Sequence, residues 1–216
     1  MILNNEFINI IENKESLYDG DLRYYLKIVL TKATNLNNPY HNFRHMMHVL
    51  FLAYQACKYY KEKLLKREIR NILVAAMFHD FDHTGKKIND KINIDLAIAG
   101  LHKYIDDSDK EYLSQIEDLI RSTEYPHKDE SEYSSFGHDI IRDVDMAQAL
   151  NTVWVQQVVF GLAQEQKVDY KEIFARQEQY LYNIKFHTDW ARQQFSQKVI
   201  DDKIAEAKWY LDVINN

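Results

Sequence analysis

Apolar residues recur at helical spacing along almost the whole 216-residue chain. Residues 2–12 place Ile2, Leu3, Phe7, Ile10 and Ile11 on one side, and residues 21–33 repeat the pattern through Leu22, Tyr25, Leu26, Val29 and Leu30. Asn37-Asn38-Pro39 predicts a helix start, with Asn38 as N-cap and Pro39 in the first helical position, and the helix runs to about Lys63. On that helix His41, His45 and His48 share one stripe. The stripe continues into Leu52, Ala56 and Tyr59, so we read it as facing inward; Phe43, Met47, Leu50 and Tyr54 share the opposite one. A charged stretch from Lys61 to Arg70 links to Ile72–Phe78, which is apolar on every side and belongs in the interior. Helices are expected over Ile92–Tyr104, Tyr112–Thr123, His138–Leu150 and Thr152–Gln164, and two long aromatic-rich ones over Asp169–Phe186 and Asp189–Ile214. Tyr125–Ser135, with Pro126 and several charges, reads as an exposed loop, either a lid or a linker.

Composition sharpens this picture. Only 5 Gly and 2 Pro are present, too few for many turns and short strands, so helices joined by short loops are favoured. The strand-forming runs and the Gly-rich phosphate loop of a nucleotide-binding α/β fold are missing. The expectation is an all-α protein with residues 1–216 in a single domain. The net charge of −6 supplies no global basic field, so neither nucleic acid nor an anionic membrane is an expected partner. The single Cys57 excludes an internal disulfide and fits a small core position. No run reaches the roughly 18 apolar residues of a membrane span, and the first residues lack a signal-peptide pattern, so the expected location is cytoplasmic. Self-association into a homo-oligomer is left open.

The chemistry gathers around Phe78-His79-Asp80-Phe81-Asp82-His83-Thr84-Gly85, which closes the apolar helix. An imidazole and a carboxylate at the end of a buried helix need partners, and a divalent cation satisfies both at once. A lone His-Asp pair is more often a solvated helix end. A histidine cluster upstream and acidic residues downstream change that balance. His41 and His45, His79 and Asp80, and either Asp143 or Asp145 together offer imidazoles and carboxylates, with open positions for water. A carboxylate such as Asp80 can bridge two ions about 3.5 to 4 Å apart, and water held between them becomes a nucleophile near neutral pH. His41 is then left over to act as general acid.

These residues resemble a known family. Asn38-Pro39-Tyr40-His41-Asn42-Phe43-Arg44-His45 is similar to the His-Asn-x-x-His signature of the class I cyclic-nucleotide phosphodiesterases, and His79-Asp80-Phe81-Asp82-His83-Thr84-Gly85 resembles their His-Asp-x-Asp-His-x-Gly. Asn93-Ile94-Asp95-Leu96-Ala97 is similar to Asn-x-Glu-Leu-Ala, with Asp in place of Glu. Arg142-Asp143-Val144-Asp145-Met146 resembles Lys-x-Ala-Asp-Leu, a register that selects Asp145 over Asp143. The resemblance implies an all-α HD-domain, phosphodiesterase-like helical bundle. It implies metal ligands His45, His79, Asp80 and Asp145, the acid His41, and outer partners His83, Asp82 and Asp95. Two divalent ions are implied, a tight one (Zn²⁺, Fe²⁺ or Mn²⁺) and a looser one (Mg²⁺ or Mn²⁺) sharing Asp80. The chain departs from the family in being short and in carrying His48, where Asp or Asn is frequent. The glutamine-and-phenylalanine purine clamp has no clear counterpart; Gln193-Gln194-Phe195 is the nearest segment. From about Val159 to Leu181, Phe160-Gly161-Leu162 and Phe174-Ala175-Arg176-Gln177 are more similar to small bacterial HD phosphohydrolases.

The expected function is hydrolysis of a cyclic nucleotide or cyclic oligonucleotide. The alternatives are a nucleotidase or pyrophosphohydrolase on mono- or polyphosphates, and a non-catalytic nucleotide-binding HD module. The complete ligand set argues against the last. His41 favours a phosphodiester, whose poor ribose leaving group needs a proton.

Overall fold

The computed structural model describes residues 6–127 and 135–216. Among them there are helices, turns and loops and no strand. The order is α1 (Glu6–Ile11), α2 (Arg23–Lys32), α3 (Phe43–Tyr59), α4 (Lys66–Phe78), α5 (Asp90–Tyr104), α6 (Leu113–Arg121), α7 (Phe136–Met146), α8 (Phe160–Gln166), α9 (Tyr170–Asn183), α10 (Asp189–Gln194) and α11 (Gln197–Asn215). Short 3₁₀ segments occupy Asp107–Tyr112 and Ala147–Leu150, and a π-helical turn occupies Val155–Val159. No described helix is long and apolar enough to cross a membrane.

α4 is the central element. Every residue from Ile69 to Phe78 is buried, as an all-round apolar helix requires. It packs against α2, α3, α5, α6 and α7 in one large core, while Trp154, Phe174 and Tyr210 centre a second cluster under α8, α9 and α11. Arg70, expected in a charged linking stretch, is instead inside α4 and buried. Its Nε and Nη2 donate to the Asp109 carboxylate at 2.8 and 2.7 Å, and the Tyr25 hydroxyl and Arg67 add bonds of 2.6 and 2.5 Å. The helix therefore begins earlier than expected because a buried carboxylate reaches it from the turn before α6. Removing one partner of such a buried pair commonly costs about 3 to 5 kcal/mol.

Three other boundaries differ. α3 starts at Phe43, not Pro39: Asn42 is the N-cap, and its Oδ1 accepts from the N–H groups of Arg44 and His45. His41 thus precedes the helix and does not share a helical stripe with His45 and His48. Asn38 does other work, donating through Nδ2 to the His83 carbonyl at 2.8 Å. The single helix expected over Asp189–Ile214 breaks after Gln194, because Phe195 leaves helical geometry and stacks on Phe186 with ring centroids 5.2 Å apart. The helix expected over Thr152–Gln164 is interrupted by the π turn. Of the expected loop Tyr125–Ser135, residues 128–134 lie outside the described residues, as do the first residues of the expected helix 2–12.

Candidate metal centre and active site

The end of α4 carries the first candidate ligands. His79 is the C-cap residue, and its Nδ1–H donates to the Ala76 carbonyl at 2.9 Å. The chain then turns through Asp82, whose φ of 62° is left-handed. The segment before α3 locks this turn. Asn35 donates to the Asp80 carbonyl at 2.8 Å and accepts from the Asp82 N–H at 3.1 Å, and Asp82 Oδ1 accepts from the Thr34 N–H and hydroxyl at 2.7 and 2.8 Å. Gly85, at φ 62°, closes against Asn38, whose amide would lie 2.9 Å from any Cβ there. The two histidine motifs are thereby one folded unit.

His45, one turn into α3, faces His79. Their Nε2 atoms lie 3.2 Å apart. Asp145 Oδ1 lies 3.1 Å from the first and 3.5 Å from the second, and Asp80 Oδ2 lies 3.2 and 3.3 Å from the same two atoms. Ligand atoms held about 2.0 to 2.2 Å from one divalent cation stand roughly 3.0 to 3.6 Å from each other, so the spacing of His45, His79 and Asp145 fits one ion, and Asp80 stands against both imidazoles beside it. The orientation of the rings fits too. His45 donates its Nδ1–H to Gln148 Oε1 and His79 donates to Ala76, leaving each Nε2 turned into the cluster. Asp80 Oδ2 is buried and accepts no hydrogen bond among the described residues. Burial pushes the carboxyl pKa of Asp80 up, but the charges of His79 and His41 hold it well below the usual range; hydrogen bonds from His45 and His79 overcome burial at Asp145 in the same direction. Burial lowers His79, yet Asp80 and Asp145 leave it well above its ordinary value, so a proton and a metal ion compete for one lone pair.

Asp143, two residues earlier on α7, is buried elsewhere. Both its oxygens are used at the start of α10, by the N–H of His187 and by the N–H and hydroxyl of Thr188.

His41 stands beside this cluster, its ring centroid 5.9 Å from that of His45. Its Nδ1–H donates to Glu165 Oε2 at 2.7 Å, while Glu165 Oε1 accepts the N–H groups of Tyr40 and His41, each at 2.9 Å. Burial lowers the His41 pKa, but Asp80 and the bond to Glu165 more than offset this and raise it. His83 stacks on His41 with centroids 3.7 Å apart and planes 23° apart. Burial, then the charge of His41, pushes His83 down to about 4. His41, His83 and Glu165 are close enough to suggest a cation site. An ion must lie near the plane of each imidazole it binds, and stacked rings offer no common point. Glu165 also has both oxygens engaged. An imidazolium–carboxylate pair with a neutral ring stacked on it is the arrangement that fits.

Two expected outer partners are placed differently. Asp95 is a correction: its side chain is 48% exposed and pairs with Lys91 at 2.6 Å and Arg121 at 3.7 Å, away from the cluster. The α5 residues that line the cavity are Asp90, Asn93 and Ile94, and the acidic one, Asp90, is about 140° round the helix from Asp95. Asp82 holds the turn through Thr34 and orients no ligand directly. Sequence reading missed Glu165 and Gln148, which look like ordinary polar positions of amphipathic segments. It also missed Gln177 and Tyr180, one turn apart on α9. Both line the cavity, and the buried Gln177 Oε1 has no hydrogen-bond partner among the described residues. Gln193, in the nearest expected clamp segment, instead donates to the Tyr59 hydroxyl, and Phe195 packs on Phe186.

The cavity beside the His/Asp cluster has a volume of about 330 Å³, and His41, His45, Asp80, Asp145, Gln177 and Tyr180 are among its walls. A larger cleft of about 690 Å³, near Arg142, Phe186 and His187, contains none of the clustered ligands. An all-helical fold with a His/Asp cluster at the end of its central helix defines the HD class of metal-dependent phosphohydrolases. The profile of the 3'5'-cyclic nucleotide phosphodiesterase family matches residues 40–148, and the chain belongs to this family of metal-dependent phosphoric ester hydrolases, whose substrates are small nucleotides. No curated protein matches the chain.

Proposed function

We propose that the enzyme cleaves a nucleotide phosphodiester with His45, His79, Asp80 and Asp145 holding the tighter of two divalent ions and His41 as general acid. Asp80 would also be a ligand for a second, looser ion. When bound, the ions supply Lewis-acid polarisation of the phosphoryl oxygens and activate water. The protein's own part is orientation and protonation. Gln148 and the Ala76 carbonyl fix the ring tautomers of His45 and His79. Glu165 fixes His41 with Nδ1 occupied, so Nε2 presents its proton to the departing ribose oxygen. Gln177, with its buried free carbonyl, reads the edge of a base whose faces meet Tyr40 and Tyr180.

The observation that carries this reading is the His41–Glu165 pair beside the cluster. A phosphate anhydride has a better leaving group and needs such an acid less, whereas a phosphate monoester keeps the ribose leaving group and is set apart by the assay. The test is turnover by chelator-stripped protein, with and without Mn²⁺ or Mg²⁺. The substrates are cyclic mono- and dinucleotides set against nucleoside mono- and triphosphates. Metal-restored hydrolysis of the phosphodiesters is expected. Faster hydrolysis of the mono- or triphosphates would overturn the reading in favour of a nucleotidase.

A further inference from the structure

The mouth of the cavity carries features that a single cyclic nucleotide does not use. Lys86 and Lys87 follow directly on Gly85 and line the opening. Both are exposed, and no carboxylate pairs with either among the described residues. Beside them lie two exposed apolar side chains, Ile88 at 40% and Tyr125 at 53%. Tyr125 is held in place. Its N–H donates to Asp90 Oδ2 at 2.7 Å, and its ring meets Tyr180 with centroids 6.4 Å apart. That bond, together with the one Asn93 Nδ2 gives to Asp90 Oδ1 at 3.2 Å, engages both carboxylate oxygens of Asp90, which also lines the cavity.

We infer that the substrate is a cyclic dinucleotide, with one nucleotide unit in the cavity and its second phosphate and second base held at the mouth by Lys86, Lys87 and Tyr125. The inference rests on the phosphodiesterase reading above and specifies its substrate. A cavity of about 330 Å³ is at the small end for an organic ligand, enough for one nucleotide unit but not two. In a cyclic mononucleotide the one phosphate would go to the metal ligands, leaving no second anion for Lys86 and Lys87, which meet no carboxylate among the described residues. Lys86 is three residues from His83, so its Cα lies at most about 10 Å from that of His83. The lysine side chain adds several more ångströms, a span that suits a second phosphate on the same molecule. An exposed, fixed aromatic ring is a stacking platform that accepts any base.

The test compares wild-type holoenzyme with K86Q/K87Q and with Tyr125→Ala on 3',5'-cyclic AMP and on cyclic di-AMP, with ATP as competitor. For the wild type at low salt, KM for the dinucleotide is expected about tenfold below that for the mononucleotide. K86Q/K87Q should raise the dinucleotide KM roughly tenfold and move the mononucleotide KM by less than about twofold, with kcat little changed. The advantage should shrink above about 0.15 M salt, where exposed charges are screened over ~8 Å. Tyr125→Ala should weaken the dinucleotide alone. Equal effects on both substrates, a wild-type preference for the mononucleotide, or ATP competing through the lysines as well as cyclic di-AMP does, would each overturn the inference. If neither cyclic nucleotide is hydrolysed, the phosphodiesterase reading fails. Calorimetric binding of the same two compounds to the same variants then still decides the lysines' role: a tenfold weaker Kd for the dinucleotide alone supports it, and no difference sinks it.

Discussion

His41 Nδ1 and Glu165 Oε2 lie 2.7 Å apart, joining a loop before α3 to a helix 124 residues later. The bond is a charge-assisted one in a mostly buried setting, and it sets both the tautomer and the basicity of the ring. Burial alone would push His41 down; Asp80 and Glu165 carry it above its ordinary 6.5. An acid must be protonated to act, so the active form persists above pH 6.5 and is lost as pH rises through the raised value.

Glu165→Gln keeps the shape but removes the charge. The alkaline limb of the kcat/KM profile is then expected to move to lower pH, so activity near pH 8 falls roughly tenfold or more while activity near pH 6 falls less. Metal content should stay the same. A limb that does not move would show that His41 is not the titrating acid.

His41→Ala is expected to keep its metals and lose about 10²- to 10⁴-fold in kcat on a ribose phosphodiester. A nitrophenyl phosphodiester needs little protonation of its leaving group and should be partly spared. Equal losses on the two substrates would remove His41 from the role of acid. Loss of metal would make it a ligand.

The helical class and the burial of Ile72–Phe78 were legible because a 3.6-residue period needs no knowledge of partners. The closeness of His79 and Asp80 was legible because they are neighbours in the chain. What the sequence hid depends on contacts between distant segments. Asn38-Pro39 carries a helix-start pattern, yet Asn38 is drawn to the His83 carbonyl and the cap falls to Asn42. Glu165 is one carboxylate among many until the fold brings it to His41. Asp95 shows the opposite error: a motif position suggested a role, and the helix turns it to solvent beside Lys91. Asp95→Asn should accordingly change kcat/KM by no more than about twofold, the usual range for a surface change. A tenfold loss in steady-state assays would return it to the site.

Gln148 is the partner that keeps His45 turned toward the cluster. It is buried and is itself held by Gln157, 2.8 Å away on the π turn. Partners of this kind commonly account for about 10- to 100-fold in metal affinity. Gln148→Ala should therefore weaken Mn²⁺ or Zn²⁺ binding by that factor, read by competition with a chromogenic chelator. Unchanged affinity would mean that packing alone orients His45.

Gly161 links the packing of α8 to the chemistry of His41. A Cβ at this position would lie 2.9 Å from the Pro39 carbonyl oxygen and 3.1 Å from Tyr40 Cβ. The first contact is with backbone, which cannot swing away. Glu165 sits four residues on, over the same face of α8, so any outward shift of the helix lengthens its bonds to the Tyr40–His41 segment. Gly161→Ala gains roughly 0.5 to 1 kcal/mol of helix propensity, but the overlap costs about 1 to 3 kcal/mol. A net loss near 1 kcal/mol lowers Tm by about 2 to 4 °C in a protein of this size. The distinguishing readout is the pH profile. The alkaline limb should move in the same direction as in Glu165→Gln, because the variant loosens the same carboxylate. A lower Tm with an unmoved limb would show that α8 accommodates the methyl group without releasing Glu165 from His41.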